Sequence, residues 1–491
     1  MTSAAKGALI AAGAIAFALA ATANAGGYRY GASDQAFYIP AIRDAMDPAL
    51  FPRDGWLLAA QGRVILWDGL VAGVTELSGL PLSWIFFLFY LIGVLGLYAG
   101  VLLVARVARI PSWGTVALLA LLTLRHRIAK TGVNTLEGYL HPRMIAFALG
   151  MLALASFLRR RPGWACAALV AACAVHPTTG VWFGMLLGVA AFAAWPRWRK
   201  PLAALAVVAA AATIWAIAAG PLASRAVVMD DVWLAAVATK DYLFPHEWPL
   251  YAWVFNFAPV AIVGFALWKL NNAGAEMRGL MVGALALAAF FIVTLPFVTM
   301  RYALAVQMQI PRVFWQVELV AFLAIVRFVP FARPLAIGLI ALSLVRGGVV
   351  LFGEKDGRLV SIDLPADDWT DAMGWLRHQP VDVHVLADPG QAFRYGSSVR
   401  VGAERDVFHE DVKDAALAMY DRAIAVRVVE RRALTHDFGS KPLAELLSLA
   451  RSFDLDYLVT EERLDLPVAY QNDTFRIYVL AERRGPRTLL R

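Results

Sequence analysis

Asp34 lies in the stretch Gly31-Ala32-Ser33-Asp34-Gln35-Ala36-Phe37-Tyr38-Ile39-Pro40, a few residues beyond the first apolar segment. A carboxylate where an apolar span gives way to a polar loop sits at a membrane surface beside a partly dry cavity. A general base there must come within roughly 3 Å of the proton it takes. Helix capping by Ser33 or Asp34 would account for the residue type but not for the aromatic company of Tyr28, Tyr30, Phe37 and Tyr38. The other acids of this loop read structurally. Asp44 and Asp47 look like helix-end or surface carboxylates, and Asp54 before Gly55 is a turn former.

Further groups that could do chemistry recur along the chain. His141-Pro142-Arg143 and His176-Pro177-Thr178-Thr179-Gly180 are two His-Pro pairs at the starts of apolar segments. The prolines are ordinary first-turn residues, whereas an ionisable ring at membrane depth faces a cavity or a partner. These histidines are candidate proton partners, phosphate donors or metal ligands. If the chain is helical there, Glu137 shares a face with His141 four residues on. Two histidines and one carboxylate are a donor set for a divalent metal ion, with spacing far weaker than a His-Glu-x-x-His motif. Arg125, Arg127 and Lys130, with Arg143 further on, form a basic cluster that suits either lipid headgroups or a bound phosphate, whose oxygens match a guanidinium fork. Arg301 and Arg312 flank Gln307, Gln309 and Pro311. Glu318, within an apolar segment, needs a proton, water or a cation.

The elements that carry these residues are membrane helices. With 60% hydrophobic and 17% charged residues the 491-residue chain is too apolar for a soluble enzyme. Apolar segments at 7–25, 82–105, 113–124, 143–158, 164–175, 180–195, 202–220, 250–268, 279–299, 313–326 and 334–352 predict about 11 transmembrane helices. Several fall short of the roughly 20 residues of a perpendicular span and need their flanking turns. Ala23-Asn24-Ala25 also fits a signal-peptidase site, but retention of the first helix is the preferred reading. Lys6, Arg106 and Arg109, Arg159 to Arg161, Arg197, Arg199 and Lys200, Lys269, and Arg327 with Arg333 fall on alternate connections. The positive-inside rule makes that side cytoplasmic. An odd span count then puts the tail outside, together with Asp34, both His-Pro pairs, Arg301 and Arg312, and the rule-breaking basic cluster. This predicts a multi-pass protein of a bacterial inner membrane with a cytoplasmic N-terminus and a periplasmic tail.

The predicted domains are 1–352, a helical bundle with a long first outer loop at 26–80, and 353–491, a soluble α/β domain. The formal charge of +8 divides as +13 on the first and −5 on the second. That division fits membrane topology and anionic lipid and excludes nucleic acid as the natural partner. In the tail, helices are expected at 367–376, 411–432 and 443–452 and strands at 383–387, 457–460 and 474–480. It has no glycine-rich phosphate loop, Cys/His metal pattern or nucleophile elbow, which suggests a supporting or acceptor-binding role. Cys166 and Cys173, about 10 Å apart along one predicted helix, are out of disulfide reach.

The order of one helix, a long outer loop with an early acid, a positive-inside bundle and an outer α/β domain resembles the GT-C superfamily of membrane glycosyltransferases. Asp34-Gln35-Ala36-Phe37-Tyr38 is similar to the Asp-Glu-x-x-Tyr pattern of many members. Asp368-Trp369-x-x-Ala372-Met373-x-Trp375-Leu376-Arg377 is similar to the segment opening the outer domain of several bacterial ones. Gln35 stands where the second acid is often found, which argues against a metal at this loop and leaves Asp34 as its one candidate. The resemblance implies a polyprenyl-phosphate-linked sugar as donor, membrane lipid as surroundings, and inverting transfer to an envelope or lipid acceptor with Asp34 as base. It further implies that Arg143, Arg301 or Arg312 stabilises the leaving phosphate and that His141 and His176 orient or protonate it. Two rival readings are a transporter or flippase of a lipid-linked or anionic sugar, and a non-catalytic scaffold with the same fold. Against transport stand the outer domain and the lack of an inverted or parallel repeat.

Overall fold

A computed structural model describes residues 2–62, 65–124, 127–269, 274–328, 333–353 and 355–481. Arg125 of the basic cluster lies outside the described residues. The chain divides into two compact units. The first comprises Met1–Tyr28, Leu88–Met229 and Lys240–Val360, and the second comprises Arg29–Phe87, Asp230–Thr239 and Ser361–Arg491.

The first unit is a helical bundle. Each of the eleven apolar segments is helical, and among the described residues eight helices are long and apolar enough to cross a membrane. Ser112–Thr123, Pro142–Leu158 and Pro162–Val175 are apolar but shorter. Lipid gives helices no hydrophobic reason to associate, so close backbone packing at small residues must do it. Gly279 and Gly283, four apart on Ala275–Thr299, meet the main chain of Pro177–Ala194: a Cβ on Gly279 would lie 2.5 Å from the Ala190 carbonyl oxygen, and one on Gly283 would strike that of Leu186. Gly96 and Gly100 on Leu82–Val107 likewise face Ala148 and Met151 of Pro142–Leu158. Arg199–Ala218 buries none of its side chains, as befits a helix surrounded by lipid.

The second unit is built on a five-stranded sheet ordered Asp406–Val407, His384–Leu386, Tyr457–Thr460, Arg476–Val479, Val468–Gln471. The first three strands are parallel and the last two antiparallel. Side-chain alternation at period two sends Val385, Val459 and Ile477 to a core with Trp369, Met373 and Phe475. It sends Leu386, Leu458 and Tyr478 to a second core with Leu446, Leu449 and Phe408. Helices Asp368–Arg377 and Leu443–Phe453 cover the two faces. The single helix expected over 411–432 is two, Asp411–Ala418 and Arg422–Leu434, because the Asp421 carboxylate accepts from the Ala423 N–H and starts a new helix. The short strands Asp406–Val407 and Val468–Gln471 were not expected. Helices Gln35–Met46, Gly55–Gly62 and Trp67–Ser78, from the segment at 26–80 that was expected to be a loop, belong to this unit.

Candidate functional site

The second unit contains Asp34. The turn before it uses Gly31 at φ +82° and Ser33 at φ +53°, and the Gly31 N–H donates to the Gln35 side-chain oxygen at 2.7 Å. Gln35 is wholly buried, so the amide that replaces the expected second acid braces the turn. Asp34 heads the helix Gln35–Met46, yet its side chain makes no cap hydrogen bond. Its carboxylate instead receives a hydrogen bond from Lys413 Nζ at 2.8 Å. The Asp34 side chain is 26% exposed and that of Lys413 only 5%. Tyr38, one helical turn on from Asp34, is buried.

Behind this pair lies a buried network of charge in the same unit. Arg400 gives Nε to Asp54 at 2.7 Å and its two terminal nitrogens to Asp414 at 2.6 and 3.1 Å. Arg427 reaches the other Asp54 oxygen at 2.5 Å. Burial alone would raise the Asp54 carboxyl, but Arg400 and Arg427 outweigh it and hold it below the ordinary carboxylate range. For Asp406, which accepts the Arg53 and Asp54 N–H groups, burial and then the Asp54 charge push the carboxyl up to about 8. Glu410 is pushed up to about 7 by burial and then by Asp414. Sequence reasoning passed over Lys413, Arg400 and Asp414, because each is an ordinary helix residue until the fold brings its partner from elsewhere. It took Asp54 for a turn former.

The first unit holds the histidines. His141 caps Pro142–Leu158, its Nδ1 accepting from the Arg143 N–H at 3.2 Å. His176 caps Pro177–Ala194, its Nδ1 accepting from the Thr179 N–H. The Nδ1 of His176 also meets the Thr179 hydroxyl at 2.9 Å, a contact in which either atom can donate, so the tautomer sets which ring nitrogen carries the proton. Both rings are buried, with centroids 5.8 Å apart, and the charges of Arg312 and Arg143 both act on His176. The arrangement is a close pair of ring N–H donors beside guanidinium charge, chemistry suited to an anion.

Around them the basic segment forms a small hairpin, Arg127–Ile128 pairing with Val133–Asn134. Arg127 is exposed on it, and Lys130 is ion-paired with Asp241. The stretch between hairpin and His141 is not helical. Glu137 therefore turns to Arg143, at 2.5 Å with both side chains buried, and Arg143 also donates to the Gly132 carbonyl at 3.2 Å. Trp315, stacked on Phe147, ties the segment to Val313–Phe328 through the Thr135 hydroxyl. Arg301 is exposed in a left-handed turn at φ +62°, and Glu318 is partly buried on Val313–Phe328. Among the described residues no group of three or more His, Cys, Asp or Glu side chains is placed to hold a metal ion. An apolar cleft of about 630 Å³ opens elsewhere in this unit, lined by Leu9, Phe17, Leu102, Leu119 and Leu344 with Arg106.

No protein-family model and no curated protein matches the chain. Among solved structures it is similar to the arabinofuranosyltransferase AftD from mycobacteria, seen by single-particle cryo-EM, with TM-score 0.51 and 14% identity over 97% of this chain. A mutant of the same enzyme gives TM-score 0.49, also at 14% identity and 97% coverage, and spans 42% of that chain. The present chain covers 40% of the length of the first of these structures. At that identity the likeness concerns fold alone: the chain is a multi-pass helical membrane protein whose fold is similar to that of part of AftD.

Proposed function

We propose that the protein is a membrane glycosyltransferase that moves a sugar from a polyprenyl-phosphate donor to an envelope or lipid acceptor. In this reading it works on the outer face of the inner membrane, with its N-terminus cytoplasmic and unit two periplasmic. The observation that carries the reading is the Asp34 carboxylate, which heads a helix without capping it, stays partly exposed, and is held at 2.8 Å by a buried lysine. Held ionised and partly open to solvent, such a carboxylate can accept a proton from a bound hydroxyl. The GT-C-like fold supports the same chemistry, and the likeness to an arabinofuranosyltransferase makes an arabinofuranosyl donor the first to try.

In the reaction the acceptor oxygen attacks the anomeric carbon as its proton passes to Asp34. The bond from that carbon to the donor phosphate oxygen breaks with inversion, and the polyprenyl phosphate leaves with the bonding electron pair. Preorganised cations and N–H donors lower the cost of that developing charge where water is excluded. Arg127, Arg301, Arg312 and the ring N–H groups of His141 and His176 are assigned to the phosphate. Lys130, paired with Asp241, and Arg143, paired with Glu137, shape the basic segment. Tyr38, expected from the sequence among the substrate-binding residues, is buried one turn on from Asp34 and in this reading steadies its helix, and the apolar cleft suits a lipid chain.

The test is transfer by purified protein in proteoliposomes, offered synthetic polyprenyl-phosphate sugars including the arabinofuranose. Turnover by the wild type and its loss by at least about 100-fold in Asp34→Asn, on the scale of a missing general base, supports the assignment. Full transfer by Asp34→Asn overturns it, and movement of a lipid-linked sugar across the bilayer without transfer favours a flippase.

A further inference from the structure

The pairing of Asp34 with Lys413 brings together residues 379 positions apart in sequence but in the same unit. A lysine with its side chain only 5% exposed must have a partner to remain charged. The acids near it in sequence have contacts of their own, and of these Glu410 also feels the Lys413 charge. Glu410 accepts the Lys413 main-chain N–H at 2.7 Å, Asp414 is taken by Arg400, and Asp411 pairs with Arg432 and faces His409. The ammonium lies 4.9 Å from the Phe393 ring centroid on one side. On another it meets Asp34 at 2.8 Å, with the Ser33 hydroxyl at 3.5 Å. Its helix, Asp411–Ala418, is anchored at the far end where Trp233 Nε1 donates to the Ala418 carbonyl at 2.7 Å. The lysine is therefore delivered by a rigid element to one carboxylate.

We infer that Lys413 is the positioning residue for Asp34, holding the carboxylate ionised and oriented toward the acceptor hydroxyl. The inference rests on the glycosyl-transfer reading. It also gives the tail of the chain a task in that reaction: the helix at 411–418 sets the state of a base that lies in the first outer loop. A cation in contact favours the charged form of a carboxylate, so losing it makes the base harder to ionise and slows transfer most at low pH. A purely structural lysine would alter stability without moving the pH profile.

The experiment compares wild type, Lys413→Met, Lys413→Arg, Asp34→Asn and the Lys413→Met/Asp34→Asn double variant in two measurements. One is thermal unfolding of the full chain in detergent. The other is transfer from synthetic polyprenylphosphoryl arabinofuranose, or whichever donor the wild type uses, between pH 3 and 9. The expected results are non-additive unfolding shifts for the pair, and an acid limb of kcat moved up by about one pH unit or more in Lys413→Met. The donor KM stays within about twofold, and Lys413→Arg brings the acid limb back. Additive unfolding shifts overturn the pairing. Coupled unfolding with an unmoved acid limb overturns the positioning role and leaves transfer by Asp34 intact. Absence of wild-type transfer with every donor overturns the glycosyl-transfer reading and this inference with it.

Discussion

Arg400 donates through Nε to Asp54 at 2.7 Å across 346 positions of sequence, and both side chains are withdrawn from solvent. With Arg427 on the same carboxylate and Asp414 on the same guanidinium, this forms an alternating chain of charge in which each member offsets the desolvation of its neighbours. Arg400→Met should lower stability by about 3–5 kcal/mol, the scale for removing one partner of a buried pair. Arg400→Lys should recover little, since one ammonium cannot replace a fork shared between two carboxylates. Thermal unfolding in detergent measures both. Because Asp54 and Asp414 titrate below the ordinary range, the network's stabilisation is full above the unfolded-state value of about 3.9 and fades as pH falls below it. Arg400→Met should therefore lose its stability deficit in acid.

Glu410 predicts the opposite slope. Its carboxyl is raised from 4.5 to about 7 by burial and by Asp414, with Lys413 and Arg400 opposing. The folded state then binds a proton that the unfolded state has released, and stability declines as pH climbs from 4.5 to 7. Glu410→Gln keeps an oxygen for the Lys413 N–H and has no proton to lose. It should match the wild type near pH 5 and exceed it at pH 8 by at most about 3 kcal/mol, the equivalent of the shift. Unfolding midpoints at the two pH values provide the check, and equal slopes for both proteins would refute it.

The membrane helices were legible because a long apolar run has few other fates, and the tail strands because short apolar runs bounded by turn residues suit strands buried on both faces. The site was legible only in part. Asp34 stood out by its surroundings, but the lysine that holds it lies on an ordinary polar helix. Glu137 and His141 suggested a shared helical face; that stretch is not helical, and Glu137 instead meets Arg143. Asp54-Gly55 carries a local turn signal, and no local rule sees two arginines arriving from residues 400 and 427. What sequence reading missed are long-range ion pairs, whose partners share no spacing.

Helix contact in the first unit should depend on glycines such as Gly279 and Gly283, where an added Cβ meets the main chain of another helix, and hardly at all on glycines that face open space. Gly283→Leu would drive a side chain into the Leu186 backbone and should abolish recovery of folded protein. Gly264, on Leu250–Lys269 with nothing within 4 Å of an added Cβ, should accept alanine with no loss. Monodispersity on size-exclusion chromatography after detergent extraction distinguishes the two.

The two His-Pro caps allow structure and chemistry to be separated. Each ring places Nδ1 at its own helix start, against the main-chain N–H of Arg143 or Thr179. Asparagine is among the best helix caps, whereas alanine removes the cap at about 1 kcal/mol. His141→Asn and His176→Asn should thus unfold within about 1 kcal/mol of the wild type, and the alanine variants should fall below them. If the ring N–H donors serve the phosphate, the asparagine variants will nevertheless slow transfer by about 100-fold, the loss seen when one preorganised donor to developing charge is removed. Stable asparagine variants that transfer at the wild-type rate would reduce both histidines to caps, and the anion site would then have to rest on Arg127, Arg301 and Arg312.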